Sequence, residues 1–292
     1  MKVLVLGREG QLARSLAERA PEHPGLDCIF ASRLDADLSS SGSAAAAIAS
    51  LRPDLVINAA AYTAVDKAEE EPALAFRING EGAGEAAAAA RQVDAPIVQI
   101  STDYVFDGEA AEPYAEDAEP NPLNVYGRSK LAGEAAVRAA NPDHLILRTA
   151  WVYSPFGRNF VKTIAAAARD RDEIRIVSDQ YGSPTSALDL ADAILKLAGQ
   201  RAGFGATWHL AGSGSGSWFD LASEVMAEAR RHGMPSAKVQ PIATADWPTR
   251  AVRPANSTLD CSRIERDLGI RLPDWREPVA ATISRLATQI LA

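Results

Sequence analysis

A length of 292 residues allows one large domain or two closely packed ones, and 47% hydrophobic with 23% charged residues is typical of a globular protein. The net charge of −8 argues against a nucleic-acid or anionic-membrane partner, because such partners require a positive field at the protein surface. Two cysteines, Cys28 and Cys261, without a CxxC pair exclude a disulfide framework and a cysteine-ligated zinc site. No apolar stretch near Met1 is long enough for a signal peptide or a membrane span, so we expect a reducing, cytoplasmic location.

The first half of the chain alternates short apolar runs with alanine-rich amphipathic segments. Apolar strands separated by helices predict a parallel sheet covered on both faces, since each parallel connection needs a crossover that packs on the sheet. The predicted strands are Lys2–Leu6, Asp27–Ala31, Leu55–Asn58, Ile97–Ile100 and His144–Leu147. The predicted helices lie near Leu12–Arg19, Ser43–Ser50, Pro72–Arg91 and Asn124–Ala139.

The second half is less regular. Before it, the segment Asp107–Asn124 is acidic, contains prolines and lacks periodicity, which is typical of a lid or a binding loop. Further helices are predicted near Phe160–Arg169, Ala187–Leu197, Phe219–Arg231 and Pro278–Ile290, and strands at Ile174–Val177, Thr207–Leu210 and Val239–Ile242. The sequence therefore predicts an α/β fold, with a doubly wound, Rossmann-like parallel sheet and a smaller, partly interleaved C-terminal α/β lobe.

Two glycines follow the first predicted strand and open the first helix. Gly7 and Gly10 stand in a GxxGxxA spacing, a variant of the GxGxxG dinucleotide pattern. Glycines here permit a tight turn and let the backbone approach a pyrophosphate, which then lies on the helix N-terminus. An ordinary strand–helix turn would fit the isolated pattern as well, but the position directly after an apolar strand favours cofactor binding. The next residues, Gln11 and Leu12, are included among the predicted cofactor contacts.

The end of the second predicted strand indicates which dinucleotide is bound. An Asp or Glu at this place selects NAD, whereas an Arg accommodates the 2′-phosphate of NADP. The sequence has Arg33 and no acid there, so NADPH is favoured and NADH remains possible. The alternative is that Arg33 and the nearby Arg8 are only solvated surface residues. Asp37 and its neighbour Leu38 are predicted contacts at the adenine end.

Small residues close the third predicted strand and would let a dinucleotide lie against the backbone, although a plain buried strand end would look the same. The predicted contacts at this place are Ala59, Ala60, Ala61, Tyr62 and Thr63. Residues 1–150 are therefore predicted to form a dinucleotide-binding domain. Residues 151–292 are predicted to form mainly a substrate-binding lobe, with some segments returning to the first domain.

Three residues form the predicted catalytic centre. Tyr126 and Lys130 are four residues apart on a predicted helix, so both project from one helical face. A lysine cation favours the phenolate and makes the tyrosine a better proton donor near neutrality. Thr102, after the fourth strand, can donate a hydrogen bond to the same carbonyl oxygen. The YxxxK pair alone arises often by chance, but three cofactor-compatible segments upstream favour a carbonyl reductase.

At this point the chain resembles the extended short-chain dehydrogenase/reductases and, within them, the dTDP-4-dehydrorhamnose reductases, over nearly its full length. The strings that carry the resemblance are GREGQLA from Gly7, NAAAYTAVDKAE from Asn58, STDYVFDG from Ser101, YGRSK from Tyr126, RTAWVYSPFGRNF from Arg148, DQYGSPT from Asp179 and RPANSTLD from Arg253. The resemblance implies reduction of the C4 ketone of dTDP-4-dehydro-6-deoxy-L-mannose to dTDP-L-rhamnose by NADPH or NADH. It places the catalytic triad at Thr102, Tyr126 and Lys130.

The resemblance also implies a substrate site. Tyr104 and Trp151 are expected to line the sugar pocket, because sugars stack on aromatic faces. A second set is expected around the nucleotide, where an arginine suits a diphosphate. This set is Asn159, Phe160, Trp247, Arg253 and Asn256. The competing explanation for these residues is that they only pack in the core or between the two lobes. This explanation applies most of all to Trp247.

One departure from the family concerns a metal. Many members form a dimer around a magnesium ion held by glutamates, and the corresponding positions here are Ser15 and Leu188. A hard cation needs oxygen ligands, and leucine offers none. We therefore expect no bound metal, and a monomer or a weak homodimer.

The residue after Asp103 distinguishes this chain from enzymes with related activities. Sugar-nucleotide dehydratases typically have Asp-Glu after the Thr, but Tyr104 follows Asp103 here, so the second carboxylate needed for elimination is missing. Two alternatives stay open at the level of sequence. One is a reductase of a different keto-deoxysugar nucleotide, and the other is a non-catalytic NADP-binding regulatory subunit.

Overall fold

Six parallel strands form the central sheet of the molecule. A computed structural model describes residues 1–291 and the side chains of residues 1–288. The described residues form twelve strands, six of which belong to the central sheet. They are β1 (Lys2–Leu6), β2 (Asp27–Ala31), β3 (Leu55–Asn58), β4 (Ile97–Thr102), β5 (His144–Thr149), β6 (Val152–Tyr153), β7 (Glu173–Val177), β8 (Tyr181–Gly182), β9 (Thr185–Ser186), β10 (Ala206–His209), β11 (Gly216–Ser217) and β12 (Lys238–Ile242). The central sheet has the order β10-β5-β4-β3-β1-β2, and every pairing in it is parallel.

Helices cover both faces of this sheet, so the predicted doubly wound α/β fold is confirmed. The helices are α1 (Gln11–Arg19), α2 (Ser43–Leu51), α3 (Val65–Ala68), α4 (Pro72–Phe76), α5 (Gly82–Gln92), α6 (Val125–Ala140), α7 (Phe160–Ala167), α8 (Ala187–Gln200), α9 (Trp218–Arg231), α10 (Ser262–Leu268) and α11 (Arg276–Leu291). Alternate side chains of β1 pack on the two faces of the central sheet. Val3 and Val5 pack with α1 and α8 on one face, whereas Leu4 and Leu6 pack with α2 and α5 on the other.

The long helix predicted near Pro72–Arg91 is a continuous helical run with a π-helical turn, residues 77–81, between α4 and α5. The turn contains Asn79, whose buried side chain accepts a hydrogen bond from the backbone N–H of Tyr62 and donates to its carbonyl oxygen. Its amide also donates to Ser129 of α6. The π turn thus fixes the loop after β3 against α6. Such turns are frequent at functional sites.

A second core lies beyond β5 and is built by α7, α9, α11 and the parallel pair β7–β12. Two elements of this half of the chain return to the central sheet. The strand β10 pairs with β5 at the sheet edge, and α8 packs against α1. Within the described residues, no helix is both long and apolar enough to span a bilayer.

The segment Asp107–Asn124 contains no helix and no strand of the sheets, but it is held firmly at Tyr114. The backbone of Tyr114 donates to Thr258 and accepts from Asp260, and its ring stacks on Phe106 with a centroid distance of 4.2 Å. None of its residues lines the main cavity. The structure therefore shows a loop anchored at Tyr114, which packs with Phe106 and Leu259, and its role as a lid or binding loop stays a prediction.

Candidate active site

The glycine turn lies where the sheet connections diverge, between β1 and β3. Gly7 has a φ of +96°, and a Cβ atom there would lie 2.9 Å from the Cα and N atoms of Ala60. The backbone N–H of Gly10 donates to the carbonyl oxygen of Gly7 at 2.9 Å, which closes the turn before α1. Doubly wound sheets bind ligands at the carboxyl ends of the strands at this switch point. A dinucleotide pyrophosphate fits this tight glycine turn at a helix N-terminus.

A cavity of about 560 Å³ opens along the carboxyl ends of the strands from this turn. It has the size of a cofactor or small-molecule site. Fifteen of the residues predicted from sequence line it, and they come from the ends of five different strands or from the helices that follow them. They are Gly7, Gly10, Gln11, Leu12, Arg33, Asp37, Leu38, Ala59, Ala60, Ala61, Thr63, Thr102, Tyr126, Lys130 and Trp151.

The predicted catalytic residues are brought together by β4 and α6. Thr102 is the last residue of β4, and α6 begins after Asn124, whose side chain accepts a hydrogen bond from the backbone N–H of Gly127 at 2.8 Å. A Cβ atom at Gly127 would overlap the carbonyl oxygen of Tyr104. The glycine in YGRSK therefore lets the first turn of α6 approach the end of β4, which places Tyr126 beside Thr102.

Burial sets the ionisation of the two central side chains. Burial lowers the pKa of Lys130 to about 8, while the carboxylate of Glu134 opposes this shift. The Lys130 ammonium donates to the carbonyl oxygen of Ile100 at 2.6 Å. Burial raises the pKa of Tyr126 to about 12; a hydrogen bond with Thr102 lowers it, and the charge of Asp103 raises it further. The groups that shift the pKa of Tyr126 besides burial are Thr102 and Asp103, and the expectation that Lys130 favours the phenolate stays a prediction.

Polar atoms without partners are concentrated in the cavity wall. Among the described residues, five buried side-chain polar atoms lack a hydrogen-bond partner, and three of them belong to residues that line this cavity. They are Asp103 Oδ2, Thr149 Oγ1 and Trp151 Nε1. Buried polar groups in proteins are almost always hydrogen-bonded, so three exceptions around one cavity point to a polar ligand there.

Trp151 occupies an unusual position at one end of the cavity. Its backbone has a φ of +46°, in the left-handed region that a bulky residue rarely adopts. Its indole stacks on Trp218 of α9 with a centroid distance of 3.5 Å and an angle of 3°. A Cβ atom at Gly182 would overlap the same indole. The strained tryptophan is therefore held between the two halves of the molecule, as strained residues at functional sites often are.

Seven residues from the predicted site do not line the cavity. Tyr62 turns away, and its hydroxyl donates to Glu71 at 2.8 Å. Trp247 is 57% exposed. The complete set outside the cavity wall is Tyr62, Tyr104, Asn159, Phe160, Trp247, Arg253 and Asn256.

Two of these seven have their side-chain amides occupied by loop structure. Asn159 caps α7 through the backbone N–H of Lys162 and donates to the carbonyl oxygen of Ser154. Asn256 donates to the carbonyl oxygen of Ala110 and accepts from the backbone of Thr258. Both residues therefore stabilise turns, and their contacts with a substrate stay predictions.

Three others pack against protein groups outside the cavity wall. The ring of Tyr104 meets that of Tyr126 edge-on, with a centroid distance of 5.9 Å. Arg253 forms two hydrogen bonds with the carboxylate of Asp66, at 2.7 and 3.1 Å. Phe160 packs at an angle against Trp218. Arg253 thus neutralises a carboxylate of the first half of the chain, and a diphosphate there would compete with that pair.

Arg33 lines the cavity after the end of β2 and is largely exposed. Its guanidinium donates to Asp37 Oδ2 and to the hydroxyl of Ser39, both at 3.2 Å. The hydroxyl and backbone of Ser39 hold the pKa of Asp37 below its usual range, and Arg33 adds to this effect. The pairing keeps the guanidinium at the end of β2, beside the place where the sequence predicts a 2′-phosphate.

The two positions that carry metal-binding glutamates in many family members offer no carboxylate. Ser15 is buried in α1, and its hydroxyl donates to the carbonyl oxygen of Gln11. Leu188 is half-buried in α8. These residues do not fit a hard cation. The absence of a magnesium ion and the monomeric or weakly dimeric state stay predictions.

Comparison with known proteins identifies the family. The sequence profile described as the RmlD substrate binding domain matches residues 1–288. A dTDP-4-dehydrorhamnose reductase from Sinorhizobium fredii is 44% identical over 282 residues, 95% of each chain. The chain belongs to this family. The resemblance stated from sequence is therefore confirmed.

Solved structures agree with this assignment. A dTDP-4-dehydrorhamnose reductase from Clostridium acetobutylicum superposes with a TM-score of 0.92 at 40% identity, covering 98% of this chain and 99% of the other. The Bacillus anthracis enzyme, solved in complex with NADP, superposes with a TM-score of 0.91 at 36% identity, covering 97% and 99%. Members of the family thus share the fold described above over their whole length.

Sequence reasoning missed several residues of the cavity wall. Asp103 directly follows β4, and Thr149 is the last residue of β5, two residues beyond the predicted strand end. Gly157 and Arg158 stand in the RTAWVYSPFGRNF string, but no ligand contact was predicted for them. Trp218 lies far away in sequence, and only the packing of α9 brings it to Trp151.

Proposed function

We propose that this chain reduces the C4 ketone of dTDP-4-dehydro-6-deoxy-L-mannose, giving dTDP-L-rhamnose, with NADPH as the preferred reductant and NADH as a possible one. Family membership supports the reaction, and the cavity supports the roles of individual residues. The observation that carries the proposal is the convergence of Thr102, Tyr126 and Lys130 on one cavity that also contains the glycine turn.

The cofactor would be held by the glycine turn, by Arg33 and by the small residues after β3. When bound, NADPH supplies the hydride that adds to the ketone carbon. A 2′-phosphate beside Arg33 would gain a charge-assisted hydrogen bond, which NADH lacks. We also propose that residues 1–150 mainly bind the dinucleotide and that residues 151–292 mainly bind the substrate.

The protein residues act on the ketone oxygen. Tyr126 donates its hydroxyl proton to this oxygen as the C–O double bond becomes a single bond, and Thr102 donates a hydrogen bond to the same atom. The high pKa of Tyr126 keeps the phenol protonated at neutral pH, so the proton is available when the oxygen becomes basic. Lys130, held by the carbonyl oxygen of Ile100, places a positive charge behind this pair.

The test is a spectrophotometric assay at the reduced-nicotinamide band, at about 340 nm, with a panel of keto-sugar nucleotides. Turnover that is fastest with the dTDP-linked 4-keto-6-deoxy-L-mannose supports the proposal. Faster turnover of another keto-deoxysugar nucleotide would move the assignment to that substrate. Tight NADPH binding without turnover of any panel member would favour a regulatory subunit.

A matched variant tests the proton donor. Tyr126→Phe is expected to keep NADPH binding while kcat falls by about two to four orders of magnitude, the usual contribution of general acid catalysis. Tyr153→Phe is the control, because the Tyr153 hydroxyl donates to the carbonyl oxygen of Trp275 in the second core. Unchanged turnover in Tyr126→Phe would remove this residue from the reaction.

A further inference from the structure

One hydroxyl group in the cavity wall has no role in the reaction described above. Thr149 is the last residue of β5 and is only 5% exposed. Its Oγ1 atom is buried and has no hydrogen-bond partner among the described residues. A buried hydroxyl without a partner costs free energy, whereas a valine of nearly the same shape would fill this space without that cost. The hydroxyl therefore points to a ligand that supplies the missing hydrogen bond.

The strand register places Thr149 beside a predicted catalytic residue. Thr149 of β5 is paired with Thr102 of β4, and neighbouring strands of a sheet lie about 5 Å apart. Side chains alternate between the two faces of a strand, so Thr149 shares a face with Leu145 and Leu147, which pack in the core formed with α1 and α8. By the same alternation Thr102 shares that face with Ile100. The two threonines therefore belong to one wall of the cavity.

The segment after Thr149 connects this wall to the helix that follows the glycine turn. The side-chain amide of Gln11, the first residue of α1, donates to the carbonyl oxygen of Val152 at 2.9 Å. Gln11, Val152 and Thr149 all line the cavity. Thr149 is thus one strand away from Thr102 and three residues away from a contact with the N-terminus of α1. A dinucleotide with its pyrophosphate at that N-terminus and its reactive ring near Thr102 passes along this wall.

The carboxamide of the nicotinamide has the chemistry that suits this hydroxyl. It is attached to the ring carbon next to the one that releases the hydride, so it always lies close to the reacting atoms. It contains a carbonyl acceptor and N–H donors, and a threonine hydroxyl can both donate and accept. The substrate is the less suitable partner, because the predicted sugar side begins two residues further, where Trp151 stacks on Trp218 of the second core.

We propose that the Thr149 hydroxyl forms a hydrogen bond with the nicotinamide carboxamide and so fixes the rotation of the ring toward the ketone. The proposal rests on the proposed reductase function and adds an orienting residue to it. No covalent bond is made or broken at Thr149. A ring free to rotate loses the alignment of the hydride-donating carbon with the ketone carbon, so the contact should support both cofactor affinity and kcat.

Binding measurements with two ligands test the contact without turnover. Thr149→Val removes the hydroxyl, and its affinity for NADPH, followed by nicotinamide fluorescence, should fall about three- to tenfold, the usual contribution of one hydrogen bond. Its affinity for 2′-phospho-ADP-ribose, which lacks the nicotinamide, should stay unchanged in calorimetric titrations. Thr149→Ser keeps the hydroxyl and should bind NADPH within about twofold of wild type.

The outcomes separate this contact from the reductase function. Equal losses for both ligands would contradict the proposal, because the contact would then lie elsewhere on the dinucleotide. Unchanged NADPH affinity in Thr149→Val would also overturn it, and a raised KM for the keto-sugar nucleotide would then assign the hydroxyl to the substrate. If the loss is specific to NADPH but the wild-type protein reduces no keto-sugar nucleotide, the contact stands and the reductase function is overturned.

The melting temperature of the ligand-free protein distinguishes this role from a structural one. Thr149→Val should leave it unchanged or raise it, because the wild-type hydroxyl has no partner. A lower melting temperature, or a failure to fold, would show that the hydroxyl is bonded within the protein and would rule the proposal out.

The matched control is Thr185→Val on β9. The buried Thr185 hydroxyl donates to the carbonyl oxygen of Ser183 at 2.9 Å and accepts from the backbone N–H of Gly212 at 3.1 Å. Its loss should lower the melting temperature of the ligand-free protein, because it leaves the Gly212 N–H without its partner. Saturating NADPH should stabilise Thr185→Val as much as wild type, and Thr149→Val less. Equal stabilisation of both variants by NADPH would contradict the proposed contact.

Discussion

The buried ion pair behind the cavity provides the sharpest stability test. Glu134 of α6 is fully buried and Arg148 of β5 is 3% exposed, and they share two hydrogen bonds of 2.9 Å. Ser101 and Arg138 also donate to the carboxylate. Ser101 stands between Ile100, whose carbonyl oxygen accepts a hydrogen bond from Lys130, and Thr102, a predicted catalytic residue. The pair therefore supports the backbone on which both predicted catalytic groups depend.

Glu134→Gln should strongly destabilise the protein, because it leaves the Arg148 guanidinium buried without a counter-charge. Breaking a buried pair on one side typically costs about 3–5 kcal/mol. A chain of 292 residues has an unfolding entropy of roughly 0.6 kcal/mol/K at its midpoint, so the melting temperature should fall by about 5–8 °C. Differential scanning calorimetry measures this shift directly.

Two controls distinguish the effect of the lost buried charge from a general destabilisation of the protein. Glu18→Gln breaks an exposed bidentate pair with Arg285 and should change stability by no more than about 1 kcal/mol. The double variant Glu134→Leu with Arg148→Met should recover much of the loss, because apolar replacements of a buried pair are often neutral. A Glu134→Gln melting temperature within one or two degrees of wild type would refute this reasoning.

The same pair gives a pH dependence with a defined sign. Burial by itself raises the pKa of Glu134, but hydrogen bonds and the charge of Arg148, with help from Ser101 and Arg138, hold it below the usual range. A depressed folded-state pKa stabilises the protein above the ordinary value of 4.5, and this stabilisation is lost as the pH falls below it. Wild type should therefore lose more stability between pH 5 and pH 3 than the Leu/Met double variant.

Three further predictions concern the site. Gly182→Ala should displace the Trp151 indole, raise the KM for the sugar nucleotide and cost about 1–3 kcal/mol of stability. Gly25→Ala, where a Cβ has open space, should have none of these effects. Equal KM values for the two variants would refute the role of the Trp151 position. Arg33→Ala should weaken NADPH binding by about tenfold or more and leave NADH binding unchanged in fluorescence titrations, and equal losses would disprove the 2′-phosphate role. EDTA should alter neither turnover nor the elution volume in gel filtration, and a change in either would reveal a metal site.

Periodicity and strand-end chemistry allowed most of the first half to be predicted. Strands β1, β2 and β3 have the predicted bounds, because their apolar runs contrast with their polar flanks, although β2 lies at the sheet edge and is only partly buried. The strands β4 and β5 each extend two residues beyond the predicted ends, to Thr102 and Thr149. Those last residues are polar because they face the cavity, so hydropathy alone ended the strands too early.

The substrate side was much less predictable. Asn159 and Asn256 look like ligand contacts in the sequence, but their amides are satisfied by nearby backbone groups. Turn formation and ligand binding select the same residue types, and only three-dimensional contacts separate them. Trp218 had no local signal at all, since its contact with Trp151 joins elements more than sixty residues apart.

The sequence by itself determined the doubly wound sheet, the glycine turn, the Thr102–Tyr126–Lys130 set and the family. Each of these depends on short-range patterns: hydrophobic period, residue size at a turn, or spacing along one helix. Only the tertiary structure decided the ionisation of these groups and left the Thr149 hydroxyl without a partner, because burial and hydrogen bonding depend on segments far apart in the chain. Lys130 illustrates the difference: its spacing from Tyr126 was visible in the sequence, but the carbonyl of Ile100 and the surrounding core decide how its charge is used.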